Sequence, residues 1–183
     1  MIIRRWFRLS DGMSGHQSTK MLNDEWLTPP EIFKALGIFD LDPCSPIERP
    51  WDTAIKHYST VDNGLSKKWE GRVWLNPPYG SEAAIWLEKM VEHGDGIALL
   101  FARTETRMFF DHVWPYASGL LFLRGRLYFH YVDGTLPDNN AGAPSVLIAY
   151  GAENAETLKK SGLDGKFVYI EPIGKQEQLK LFD

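Results

Sequence analysis

Val73-Trp74-Leu75-Asn76-Pro77-Pro78-Tyr79-Gly80 decides how this chain is read. Three apolar residues run without a break into an asparagine and two prolines, the pattern of a buried strand that stops at a rigid turn. Ser81 then reads as the cap of a helix carrying Ala84, Leu87, Met90 and Val91 on overlapping faces, stopped by Gly94. In open α/β sheets ligands bind outside the carboxyl ends of strands, which is where Asn76 to Tyr79 fall.

Outward from this stretch the elements alternate. Residues 96–102 are continuously apolar, which predicts a strand buried on both faces. Upstream, Thr28-Pro29-Pro30-Glu31 predicts a helix with Thr28 as N-cap, Pro29 at the first helical position, Glu31 completing a capping box and Gly37 as the stop. A short strand is predicted over 38–42, and residues 44–70 read as irregular, with at most a short helix over 53–58. Downstream the pattern predicts a helix over 104–117, strands over 120–123 and 127–131, a polar loop across 133–144, a strand over 145–150, a helix over 154–161 and a strand over 167–170. This alternation predicts an α/β fold, a mixed sheet flanked by helices in one compact domain over 24–172. The sheet is expected to be mixed because 120–123 and 127–131 lie too close together for a parallel crossover. Residues 1–23 are expected to form a mobile arm and 173–183 a tail.

Bulk properties narrow the function classes. Hydrophobic residues make up 44% of the 183, enough for a core rather than a disordered chain. The 20 Lys+Arg against 24 Asp+Glu argue against a protein that coats nucleic acid, while leaving room for local basic patches. Arg103, Arg107, Arg124 and Arg126 are the candidates for DNA contact, or equally ordinary solvated surface. The lone Cys44 excludes an internal disulfide and points to a reducing compartment. No apolar run has the length of a membrane span or a signal peptide, so a cytoplasmic location is expected. The five histidines show no paired ligand spacing, so no metal is expected. Trp51, in a proline-rich loop, is the tryptophan to look for near the site; the others read as core.

The asparagine–proline turn suits one kind of chemistry. The lone pair of an aromatic exocyclic amine is delocalised into its ring. The Asn76 side-chain oxygen can accept one amine hydrogen and the Pro77 carbonyl the other, exposing the lone pair to an electrophilic methyl. The prolines fix φ and so the carbonyl's direction, which is preorganised electrostatics. Tyr79 offers a ring on which a base can stack, worth about 1–3 kcal/mol. The alternative is a Pro-Pro turn with an incidental Asn and Tyr.

Four stretches in this order resemble the phage-type (Dam-like) DNA N-6-adenine methyltransferases over residues 24–170: Asp24-Glu25-Trp26-Leu27-Thr28-Pro29-Pro30, Phe39-Asp40-Leu41-Asp42-Pro43-Cys44, Asp62-Asn63-Gly64-Leu65, and Val73 to Tyr79. The resemblance implies a Rossmann-like methyltransferase fold, S-adenosylmethionine as methyl donor and double-stranded DNA as substrate, with a phage or prophage origin and protection against restriction as its setting. By analogy, Thr28 and Pro29 line the methionine end of the donor and the loop after Asp40, with Pro43 and Cys44, faces it. Asp42 would then hold its ammonium group, and Asp62 its adenine amine. The bland readings are polar strand ends for Asp40 and Asp42, and an N-cap alone for Thr28. Cofactor loops are usually glycine-rich, and Asp42-Pro43-Cys44-Ser45-Pro46 has no glycine. Three functions stay open at this level: DNA adenine methylation, the same chemistry on cytosine, RNA adenine or protein glutamine, and a degenerate binding module without cofactor.

Overall fold

The structure, a computed structural model, describes residues 25–80 and 82–171. In chain order the elements are α1 (Pro30–Leu36), β1 (Leu41–Asp42), β2 (Lys56–His57), β3 (Val73–Leu75), α2 (Ala83–His93), β4 (Gly96–Phe101), α3 (Arg107–His112), β5 (Gly119–Leu123), β6 (Ser145–Tyr150), α4 (Ala152–Lys160) and β7 (Gly165–Tyr169). The apolar run of β4 sits inside the sheet, parallel to β3 on one side and antiparallel to β6 on the other. Its side chains alternate between two cores. Ala98 and Leu100 pack with Leu87 and Met90 of α2 and Phe109 of α3, while Ile97 and Leu99 pack with Ile32 and Leu36 of α1 and Leu158 of α4. Both faces are therefore covered, which is why the run shows no polar alternation. Each such leucine or isoleucine contributes about 1.5–3 kcal/mol by burial.

The sheet has the order β2-β1-β3-β4-β6-β5-β7. β2, β1, β3 and β4 are mutually parallel, and β6, β5 and β7 follow by antiparallel pairings. The expected mixed α/β sheet is present, but not for the reason given by spacing. Residues 127–131 form no sheet strand; their one pairing is a bridge between His130 and Leu27. The antiparallel partner is β6, inserted between β4 and β5.

Other boundaries shift for identifiable reasons. The N-cap of α1 is Pro29, with no side-chain cap bond, so neither Thr28 nor Glu31 forms the expected cap, and Pro30 opens the helix. Only Leu41–Asp42 of the 38–42 strand pairs, and Ile38 is exposed. No helix forms over 53–58. His57 Nε2 accepts the amides of Thr53 and Ala54, and Lys56–His57 pairs with β1 as an edge strand. The helix expected over 104–117 shortens to Arg107–His112, with turns after it. Gly94 takes the left-handed conformation, φ 78°, that ends α2. The expected arm, the expected tail and the Ser81 cap lie outside the described residues. No helix among the described residues is long and apolar enough to cross a membrane.

Candidate active site

β1 and β3 lie side by side and parallel, with Leu41 opposite Val73, so the segments that leave them, 42–46 and 76–79, emerge at the same edge of the sheet. Between these segments opens a cavity of about 390 Å³, within the size range of small-molecule sites. The 25–28 segment, Thr53, the 59–65 turn and the start of α2 close its other sides.

The acceptor half is Asn76 to Tyr79. Asn76 Oδ1 is buried and has no hydrogen-bond partner among the described residues. Pro77 is buried behind it and Pro78 is exposed. The Tyr79 ring stacks on Phe101 at the end of β4, centroids 4.3 Å apart and planes 5° from parallel. The Tyr79 hydroxyl is likewise buried and unpartnered, and burial pushes its pKa up. An unsatisfied buried polar atom costs about 1–3 kcal/mol and calls for a reason. Three such atoms, Thr28 Oγ1, Asn76 Oδ1 and Tyr79 Oη, belong to residues lining this one cavity.

The other half is built around Asp42. It is 3% exposed, and its carboxylate accepts the Cys44 amide at 3.1 Å and the Thr53 hydroxyl at 2.5 Å. Burial raises its pKa to about 6, against the lowering effect of those two bonds. The Cys44 thiol donates to the main-chain oxygen of Asn76 at 3.2 Å, joining the two halves. No glycine lies in the 42–46 loop, but one arrives from elsewhere. A Cβ on Gly64 would stand 1.9 Å from the Pro43 carbonyl oxygen and 3.3 Å from Trp86, so two backbones meet there at a distance only glycine allows.

The sequence-derived candidates divide. Thr28, Asp42, Pro43, Cys44 and Asn76 to Tyr79 all line the cavity. Pro29 is buried but does not line it, and its carbonyl accepts the Ile32 amide. Asp40 faces away, its carboxylate accepting the Arg72 amide at 2.7 Å. Asp62 is exposed, and its carboxylate accepts the amide and hydroxyl of Ser59, bonds that lower its pKa, while Ser59, Thr60 and Asn63 line the wall. Arg103 lies over the Phe101 ring, 5.9 Å from its centroid. Arg107 and Arg124 pair with Asp111 and Asp164, and Arg126 reaches the Ala141 carbonyl.

Several lining residues escaped sequence reasoning: Trp26, Thr53, Gly64 and Trp86. Gly64 carried a signal, since it lies in one of the four quoted stretches. Thr53 carried none. Trp51 does not line the cavity; its indole N–H donates to the Thr28 carbonyl at 3.2 Å and its ring meets His130 edge to face. It supports the wall from behind.

The sequence model of the DNA N-6-adenine-methyltransferase (Dam) family matches residues 15–160, well over half of the chain. The chain belongs to that family. The matched span contains every residue of the cavity wall and all the elements from α1 to α4. No curated protein and no solved structure matches the chain. Family membership fixes the reaction class, methylation of adenine N-6 in DNA, and with it a DNA substrate. The mixed seven-stranded sheet with helices on both faces accords with a methyltransferase-like domain.

Proposed function

We propose that this chain transfers a methyl group from S-adenosylmethionine to the N-6 amine of an adenine turned out of the DNA duplex into the cavity between 42–46 and 76–79. The observation that carries this reading is Asn76 Oδ1, a buried acceptor without a partner on the cavity wall. An adenine inside the duplex keeps its N-6 amine within the stack and paired, so it has to leave the helix to reach this acceptor.

The donor half fits the cofactor on three counts. Thr28 Oγ1 is buried and unpartnered on the wall. Asp42 supplies a buried carboxylate for an ammonium group, and Gly64 lets the 59–65 turn close directly against the Pro43 backbone to complete the wall, which no residue with a Cβ could do. Thr28, Asp42 and Pro43 would hold the cofactor, with Cys44, Gly64 and Trp86 shaping the wall. When bound, S-adenosylmethionine supplies a methyl on a sulfonium, an electrophile that needs no acid to activate its leaving group.

The chain's own residues do the rest. Asn76 Oδ1 accepts one amine hydrogen and the Pro77 carbonyl the other, which turns the nitrogen lone pair out of the ring plane. The same two oxygens face the positive charge that grows on the nitrogen as the N–C bond forms, so they stabilise the transition state more than the ground state. Tyr79 is held by Phe101 on one face and guides the base with the rest of its ring. Arg103, at the same sheet edge, contacts phosphate beside the flipped base.

The test is methylation of unmethylated duplex DNA with labelled S-adenosylmethionine, followed by nucleoside analysis. Label is expected on N-6-methyladenine, and Asn76→Ala is expected to cut the rate by about 10²–10³ while leaving cofactor binding intact. Cofactor binding without label in DNA of varied sequence would sink the proposal. A phage setting and protection against restriction fit the reading. Methylation-sensitive sequencing of DNA from cells expressing the chain gives the context.

A further inference from the structure

The link between the two halves of the cavity is a single sulfur contact. The peptide group joining Asn76 to Pro77 is a tertiary amide without an N–H, so its plane can be anchored by hydrogen bonding only through the Asn76 oxygen. The atom that anchors it is Cys44 Sγ, donating at 3.2 Å from a residue 32 positions away. Cys44 is itself fixed, because its amide donates to Asp42, whose other oxygen accepts the Thr53 hydroxyl. A continuous chain of hydrogen bonds therefore runs from Thr53 through Asp42 and Cys44 to the peptide that aims the Asn76 side chain, whose own oxygen is buried and unpartnered.

We infer that Cys44 is a positioning residue for methyl transfer: its thiol orients the Asn76–Pro77 peptide, and so the acceptor Asn76 Oδ1, against the donor side of the cavity. This inference rests on the reaction proposed above. Burial, with the Asp42 carboxylate beside it, pushes the thiol pKa well up, so at neutral pH the sulfur keeps the proton it donates. A small misalignment of a reacting pair costs rate rather than binding, and the bond's loss should show in that way.

The experiment compares wild type, Cys44→Ala and Cys44→Ser in single-turnover methylation of DNA, with S-adenosylmethionine affinity by calorimetry and thermal melting as a check on folding. Cys44→Ala removes the donor and is expected to slow transfer about tenfold, the size of one hydrogen bond, with cofactor affinity within about twofold. Cys44→Ser keeps a donor and is expected to recover most of the rate. Equal impairment of both variants, or a loss confined to cofactor affinity, indicates packing alone and overturns the inference. A wild-type rate in Cys44→Ala does the same. Should Cys44→Ala fail to fold, the infrared S–H stretch decides, since with one cysteine in the chain the band is assigned without labelling. A band lowered and broadened relative to a solvated thiol, together with an active Cys44→Ser, supports the link; the band of a free thiol overturns it. Wild type that binds S-adenosylmethionine and leaves DNA unlabelled overturns the underlying reaction, and this inference with it, whereas an active wild type confines any failure to Cys44.

Discussion

Asp42→Asn should make the protein more stable and less able to bind its cofactor. The Asp42 side chain is 3% exposed, and burial raises its pKa from 3.8 to about 6. Between those values the folded state binds the proton more tightly than the unfolded chain. Its contribution to stability is therefore fully present below about 3.8 and is lost as pH rises through about 6. At about 1.4 kcal/mol per pH unit the loss is about 3 kcal/mol at neutral pH. Asparagine carries no charge to bury and still offers an oxygen to the Cys44 amide, while its NH₂ can donate to the Thr53 hydroxyl. Neutral hydrogen bonds are weaker than charged ones, so the net gain is expected near 2 kcal/mol, a rise in Tm of about 4–8 °C for a chain of this size. Urea denaturation from pH 4 to 8 measures it. Wild type should lose stability across the pH 4–7 window, relative to the variant, which lacks this group. Cofactor affinity should move the other way. It falls at least tenfold in the variant at pH 7.5, and in wild type it weakens as pH drops below about 6, where Asp42 takes up its proton. A variant that is less stable than wild type at pH 7.5, or that keeps the full pH dependence, would refute the reasoning about burial. An unchanged affinity would refute the role for the carboxylate.

Three further perturbations probe the same wall. Asn76→Ala removes a buried acceptor that no described residue satisfies, so it should raise thermal stability by about 1 kcal/mol while abolishing most of the activity; destabilisation in a melt would show that the oxygen had a partner. Gly64→Ala forces a Cβ to within 1.9 Å of a backbone oxygen, and should cost about 1–3 kcal/mol and weaken cofactor binding at least tenfold. Gly142→Ala, where nothing lies within 4 Å of the added carbon, is the control and should do neither in the same denaturation and calorimetry runs. Arg103→Ala should lower the slope of log affinity for DNA against log salt by about one, whereas Arg124→Ala, whose cation already pairs with Asp164, should leave it unchanged. Equal slopes in both variants would remove Arg103 from the DNA interface.

The parts of the fold that were legible are those where one local signal dominates. β3 and β4 could be read because burial on both faces makes their runs wholly apolar, and the turn after β3 because two prolines leave the backbone little choice. β1 and β2 are two residues each, too short for any period to show. Residues 127–131 carry a strand's alternation, with Leu127 and Phe129 turned inward, yet their backbone makes one β-bridge, to Leu27, and otherwise bonds to the neighbouring loop at Thr135 and Ala141. Thr28 looked like a cap because a threonine before two prolines usually is one. The helix begins one residue later and leaves the hydroxyl on the cavity wall. Thr53 and Gly64 reach Asp42 and Pro43 through space from 11 and 21 positions away, and no linear pattern announces such a meeting.

The two halves of the cavity differ in how far their polar atoms are satisfied, and the difference follows from what each half must do in the proposed reaction. Asp42 has to stay ionised inside the protein at neutral pH, so both of its oxygens are given donors, Cys44 and Thr53. Without them its pKa would rise further, and the carboxylate would lose the charge proposed to hold an ammonium group. Asn76 is in the opposite position. An oxygen already bonded to the protein could not receive an amine hydrogen without first breaking that bond, and the cost would fall on the transition state. Leaving Oδ1 unpartnered moves the cost to folding, where it lowers the stability of the free protein and nothing else. The backbone of the same residue cannot be left loose, because a free oxygen on a swinging peptide would be no better aimed than water. The Cys44 bond to the Asn76 main-chain oxygen meets that requirement, fixing the peptide while leaving the side chain unengaged.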